Sequence, residues 1–279
     1  MDAFTLDGLI AELRPVVVGR HIARVRAADA QAVLVEIAGA RDLHLWLDAG
    51  RLVPGVYRLT RAEARALQDE AALAGASRQA LLHLRKHLEG RRLSGLRRVA
   101  GERALVLEAG EATLVLRLSA TPALTLAAGG RARATVGEGA PAWPPPAEAP
   151  EREWDRVGDE ILADALVAAR KTAAPAARAV LRACPVLGPV LARAVAASAR
   201  EDWPDLRGAL AAPRPVLLAA APVESSADAD LAAPDAVLLA PVDIARLGLA
   251  AWPQPSWTAA AAALLRARLR GHRFDRARR

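Results

Sequence analysis

Arg85 and Lys86 are adjacent cations on a stretch that reads as a helix, and Arg103 follows on a segment that reads as extended. Two cations on a helix beside a strand arginine offer a rigid positive surface. Phosphates need charge, and a guanidinium can also stack on, or fork to, an unpaired base. The plain alternative is a solvated helix face with surface ion pairs such as Arg85 to Glu89 at i, i+4. His83 and His87 have the i, i+4 spacing that can hold a metal. No third ligand stands near them in sequence and two cations lie between them, so no metal is expected. Cys184 sits among Ala, Pro and Val without a local His, which favours an inert buried thiol over a nucleophile. The sequence has no G-x-S-x-G, H-E-x-x-H, P-loop or G-x-G-x-x-G. Catalytic residues and cofactors are therefore not expected, and the chain reads as a non-enzyme.

The composition bounds these readings. Lys+Arg minus Asp+Glu is 38 − 31 = +7 over 279 residues. Only Lys86 and Lys171 are lysines, and alanine is abundant, so a coding bias toward Ala and Arg also raises the charge. Distribution matters more. Arg78, Arg85, Lys86, Arg91, Arg92, Arg97, Arg98 and Arg103 share one short segment, and a second basic run extends from Arg266 to Arg279. A hydrophobic share of 53% and a charged share of 25% exclude a disordered chain. One cysteine excludes a disulfide framework or a multi-cysteine metal site. No uninterrupted apolar run suggests a membrane span, and MDAFTLDGLIAELR does not read as a secretory signal. A cytoplasmic protein without a membrane partner is expected.

Elements must position these residues. Thr5 reads as the cap of a first helix with Leu6, Leu9, Ile10 and Leu13 as its apolar stripe and Pro15 as its end. Strands are expected at 33–37, 43–47, 104–108, 113–118 and 123–127, with connections at 39–42 and 109–111. The stretch 60–75 reads as helical or as an excursion, and 77–93 as a helix. Gly137, Gly139 and five prolines over 137–150 read as a linker. A helical hairpin follows over 154–199, turning at 184–189. Apolar runs at 215–221 and 236–244 precede a last helix over 258–270, capped by Ser256 or Thr258. The class is α+β, with a small helical module and a short α/β tail.

Three stretches together resemble one family. They are Asp2-Ala3-Phe4-Thr5-Leu6 with Glu12-Leu13 and Gly19-Arg20-His21-Ile22, then Leu81-Leu82-His83-Leu84-Arg85-Lys86-His87-Leu88-Glu89-Gly90, then Gly101-Glu102-Arg103. The sequence is similar to NFACT proteins, the fibronectin-binding protein A-like family that includes bacterial ribosome quality-control factors. The resemblance covers the first half clearly and the helical hairpin more weakly. It implies a β-sandwich first domain with flanking helices, related to formamidopyrimidine-type DNA glycosylases, over 1–140. It also implies that the helical hairpin is a helix-hairpin-helix module, over 154–205, between the linker read from composition, over 141–153, and the α/β extension over 206–279.

The family likeness further implies RNA binding, with tRNA and the large ribosomal subunit as partners. Arg85, Lys86, His87, Glu102 and Arg103 are the implied RNA contacts, with Arg92, Gly188 and Arg193 as further phosphate contacts. Glu102 stands where the family has Asp on a strand. Val186 replaces the first glycine of the hairpin turn, which is costly if that position needs positive φ. Full-length members continue into a coiled coil and an RNA-binding domain near where this chain stops. Tail-elongation activity is therefore not expected of this form alone, and a protein partner is expected to supply the coiled coil. The competing reading is a DNA-binding protein or abasic-site lyase. The chain lacks that class's N-terminal proline and zinc-finger cysteines, leaving Lys86 as the candidate amine.

Overall fold

The computed structural model describes residues 1–39, 43–67, 76–219, 238–243 and 250–278. They form two compact units. One comprises Met1–Gly8, Ala100–Arg103 and Glu148–Arg279, and the other Leu9–Val99 and Ala104–Ala147. The class is mixed α+β with antiparallel sheets and flanking helices.

Helix α1 (Ala3–Val17) begins in the first unit and continues in the second. Its cap is Asp2, not Thr5. Asp2 accepts hydrogen bonds from the Thr5 N–H at 2.8 Å and the Thr5 hydroxyl at 3.0 Å. Leu6, Leu9, Leu13 and Val17 form the buried stripe, spaced as one helical face. Pro15 does not end the helix. It sits exposed in the last turn, where the one intrahelical hydrogen bond it removes faces solvent.

The second unit carries two antiparallel meanders. One is β1 (Ile22–Asp29), β2 (Ala32–Ile37), β3 (His44–Asp48) and β4 (Gly55–Leu59), in that order. Helix α2 (Arg61–Leu67) follows, and residues 68–75 lie outside the described set, as do 40–42 of the first expected hairpin connection. Helix α3 (Ala76–Leu88) leads to β5 (Leu93–Arg98), β6 (Ala104–Ala109), β7 (Ala112–Arg117), β8 (Ala123–Ala128) and β9 (Arg131–Gly137), again in chain order. The helix expected to reach 93 stops five residues earlier. Long-range pairing takes over, with Leu93 N–H donating to Arg20 O and Ile22 N–H to Arg91 O, each at 2.8 Å.

Strand β3 is buried along its length and ends at Asp48. The Asp48 carboxylate accepts from Trp46 Nε1 at 3.1 Å and from the Gly50 N–H at 2.7 Å. Burial pushes its carboxyl up to about 7 despite those two donors. Because the folded-state value is raised above the unfolded value of about 3.9, the folded state holds the extra proton between them. The associated stability is full below about pH 4 and is lost as pH rises through about 7. We expect stability to urea to fall between pH 5 and pH 8 by on the order of 3 kcal/mol from this group. The fall should shrink in Asp48→Asn. An identical fall in that variant would place the titration elsewhere.

In the first unit, α4 (Asp159–Lys171), α5 (Ala176–Ala183), α6 (Gly188–Ala197) and α7 (Trp203–Ala211) pack around Val180, Cys184, Val186, Leu187, Leu191 and Trp203. A three-stranded antiparallel sheet follows, ordered β11 (Leu238–Ala240), β10 (Val216–Ala219), β12 (Ala250–Pro253). Helix α8 (Trp257–Arg278) closes the chain, with Ser256 Oγ accepting from the Ala259 N–H at 3.1 Å. Ser256, not Thr258, is its cap. Residues 220–237 and 244–249 lie outside the described set, and with them 220–221, 236–237 and 244 of the last two expected apolar runs. Among the described residues no single helix is long and apolar enough to cross a membrane.

The expected boundaries at 140 and 153 differ from the observed division. Residues 1–8 and 100–103 group with the C-terminal part because Ala3 packs in its core and the 100–103 turn bonds to 149–153. The proline-rich segment is not a free linker. The Ala142 N–H donates to Thr125 Oγ1 at 2.8 Å, and the Ala149 N–H to Ala100 O at 2.9 Å. Its prolines mark an extended strap fixed by hydrogen bonds at both ends.

Candidate nucleic-acid interface

The implied RNA contacts fall in both units. Arg85, Lys86, His87 and Arg92 belong to the second, and Glu102, Arg103, Gly188 and Arg193 to the first.

In the second unit, α3 buries Leu81, Leu84 and Leu88 and turns Arg85 and Lys86 outward. The two cations then part. Arg85 Nε donates to Val25 O at 2.9 Å, and Glu89 Oε1 accepts from the Val25 N–H at 2.9 Å. Instead of pairing with each other, Arg85 and Glu89 satisfy the backbone of edge strand β1. That answers the unpaired polar groups an edge strand presents. Arg92 is similarly occupied, with Nε donating to Gly19 O at 3.0 Å.

Lys86 remains exposed. Beside it, the His83 and His87 rings lie parallel, 6.5 Å between centroids and 7° between planes. Partial burial holds His87 below the usual histidine range, aided by Lys86, Arg133, His83 and Arg91 in that order. These groups therefore form one positive neighbourhood, and no carboxylate among the described residues pairs with Lys86, Arg91 or Arg133. Arg133 was not among the residues read as contacts from the sequence. It occupies a bulge, because Leu126 pairs with Ala134 while Ala127 pairs with Ala132. A bulge re-aims a side chain, and single-sequence periodicity does not show one. His83 and His87 present parallel rings, not converging nitrogens. Among the described residues no group of three or more His, Cys, Asp or Glu could hold a metal.

In the first unit, Glu102 and Arg103 sit in the turn between β5 and β6, not on a strand. Glu102 Oε1 accepts from Arg152 Nη1 at 2.8 Å. Arg103 Nη1 donates to Met1 O at 3.3 Å. Burial disfavours the Arg103 charge, and the Asp2 and Glu102 carboxylates oppose that effect. Burial also pushes the Asp2 carboxyl up. Arg103 thus has its internal partner at the start of α1, and Glu102 has Arg152.

Gly188 was expected to offer a free N–H to phosphate. Its N–H instead donates to Pro185 O, and its α-carbon is buried against Asp2, where an added Cβ would stand 3.1 Å from Asp2 Cα. The Gly188 N–H is therefore already taken within the turn. The positive φ of the turn falls on Gly188 at +67°, while Val186 lies in a 3-10 turn and fills the core. The Val186 substitution therefore carries no backbone cost. Arg193 is exposed, with Nε donating back to Pro189 O at 3.3 Å. Burial pushes the Cys184 thiol up to about 12, which suits an inert core residue.

No family model and no curated protein matches this chain. Solved structures do. The fibrinogen binding protein from Staphylococcus aureus has a TM-score of 0.61 at 12% identity, with 94% of this chain and 97% of that one covered. The N-terminal part of the fibronectin/fibrinogen-binding protein from Streptococcus suis has a TM-score of 0.57 at 17% identity, covering 93% and 97%. The fold is that of fibronectin/fibrinogen-binding protein N-terminal regions. The N-terminal domain of fibronectin-binding protein PavA from Streptococcus pneumoniae adds a TM-score of 0.51 at 16% identity, covering 94% and 97%. Matches over nearly the whole of both chains mean that both units recur in this fold. At such identities the likeness concerns the backbone path, and the side-chain chemistry must be argued from this chain itself.

Proposed function

We propose that this chain is a non-enzymatic RNA-binding protein of the ribosome quality-control type, with tRNA or the large ribosomal subunit as its partner. The observation that carries the reading is the cluster of Lys86, Arg91 and Arg133 around the stacked His83 and His87 rings. Cations without acidic partners neutralise phosphates at little cost, and half-buried rings beside them suit an unpaired base. The NFACT-like motif set supports the same partner class. The first domain in this reading is the glycosylase-like domain of that family, and the α5–α6 turn its helix-hairpin-helix element. Within it, Lys86, His87 and Arg133 touch RNA, whereas Arg85, Arg92, Glu102 and Arg103 hold the surrounding backbone.

The test is a filter-binding titration with tRNA across a salt series. Lys86→Ala/Arg133→Ala should bind at least about tenfold more weakly, ~1.4 kcal/mol, with a salt slope smaller by roughly two. Both side chains lie at the surface, so the variant should melt like the wild type. Equal binding with an unchanged slope would mean that charge acts without a site. Absence of tRNA binding at low salt, with binding to immobilised fibronectin, would replace the RNA reading by one matching the fold neighbours' names. A borohydride-trapped adduct on abasic-site DNA would replace it by lyase chemistry.

A further inference from the structure

Helices α4 and α5 enclose an open cleft of about 450 Å³, separate from the basic patch of the second unit. Its floor is methyl groups, from Ala165, Ala168 and Ala169 on α4 and Ala179 and Ala183 on α5. Arg178 and Arg182 line it four residues apart, so both guanidinium groups stand on one face of α5. Both are exposed, and neither is ion-paired among the described residues. Of the three acids of α4, Asp159 and Glu160 lie in its first turn, and Asp164, exposed in the middle of the helix, is not among the residues that line the cleft. Asp159 is held by Arg207 at 2.6 Å and Glu160 is bonded to Arg200. The cleft therefore has an apolar floor and a cationic wall, with no carboxylate in its lining.

Ile161 extends the floor. It is 55% exposed and shares a helical face with Ala165, Ala168 and Thr172, at spacings of four, three and four. An exposed branched apolar residue at the end of an alanine track is unusual on a solvated helix, where polar residues are the norm.

We propose that this cleft docks an acidic amphipathic helix of a partner protein. Alanine floors let a second helix approach closely, and the partner's aliphatic side chains would be buried on Ile161 and the methyl track. Two carboxylates at i, i+4 on the incoming helix would meet Arg178 and Arg182, each as a forked charge-assisted pair. Nucleic acid fits less well. A phosphate backbone would use the arginines but gain nothing from five alanine methyls.

A phage-displayed library of random peptides about four helical turns long, selected on the full chain, tests this directly. Enriched peptides should carry carboxylates at i, i+4 with apolar residues on the adjoining face. Measured by fluorescence anisotropy, they should bind Arg178→Gln/Arg182→Gln at least about tenfold more weakly than wild type. Ala168→Gln, which places a polar amide on the floor, should weaken them similarly. All substitutions are at exposed helical positions, and circular dichroism with a melting curve checks that they fold. Enrichment without acidic residues, or binding indifferent to both variants, would overturn the proposal. So would a tenfold loss of tRNA affinity in Arg178→Gln/Arg182→Gln, which would make the cleft an RNA surface. Failure of the basic patch in the second unit leaves this result unaffected, because the two assays use different residues.

Discussion

Gly101→Ala is expected to lower the melting temperature by roughly 10 °C, corresponding to about 3 kcal/mol or more. Two effects add. Gly101 has φ of +74°, a conformation that costs a residue with a Cβ about 1–2 kcal/mol. A Cβ built there would also stand 1.9 Å from the Ala149 carbonyl oxygen, a backbone atom that cannot swing aside. Both residues are held. The Gly101 N–H donates to Glu153 Oε1 at 2.5 Å, and the Ala149 N–H to Ala100 O at 2.9 Å. Gly90→Ala provides the comparison, because Gly90 has φ of +75° and nothing within 4 Å of an added Cβ. That variant should lose only the conformational part, about 1–2 kcal/mol. Equal losses in the two variants, measured by calorimetry, would show that the 149 backbone yields and that close packing is not the cause. The turn matters beyond stability, since it carries Glu102 and Arg103. If Gly101→Ala folds yet binds tRNA as tightly as wild type, those two residues are positioning groups and not RNA contacts.

Arg207→Ala is expected to destabilise the first unit by about 3 kcal/mol. Its guanidinium donates to Trp154 O, to Val157 O at 2.7 Å and to Asp159 Oδ1 at 2.6 Å, and lies 4.1 Å over the Trp154 ring. One side chain thus ties α7 to the segment that starts α4. Truncation leaves a half-buried carboxylate and two carbonyls without their donor. Arg207→Lys should recover less than half of the loss, because an ammonium cannot form the planar fork or stack on the indole in the same way. Urea unfolding of the three proteins checks this. Full recovery by lysine would show that charge alone, and not the fork, matters.

In the two meanders the interior strands were legible in the sequence, and the edges were not. The apolar runs predicted β2, β3, β6, β7 and β8, which are the inner strands of the two meanders, where both faces are covered. Missed by periodicity were β1, β4, β5 and β9, which are the four edge strands of those meanders. Arginines at 24, 26, 97, 98, 131 and 133 break their apolar pattern. An edge strand keeps its shape through hydrogen bonds to one neighbour and through side chains that cap its open side, and neither leaves a local signal. Only the family resemblance pointed to a strand after Gly19.

The site divides along the same line. The sequence by itself determined which residues on α3 face outward, because Leu81, Leu84 and Leu88 fix the helix rotation. It also determined the clustering of positive charge and the inertness of Cys184 in an apolar setting. Tertiary structure decided what each outward cation does. Arg85 reaches a carbonyl 60 residues away in the chain, and Arg92 one 73 residues away. Lys86 does not, and Arg133, whose Nε donates only to the nearby Ala128 O at 3.1 Å, joins it through a bulge on a strand the sequence did not announce. The physical reason is that a cation's role depends on where the nearest acceptor lies, and long-range acceptors are placed by folding. Gly188 shows the same rule in the backbone. Its glycine was readable as a turn residue, but only packing against Asp2 turned an expected phosphate seat into a closed contact.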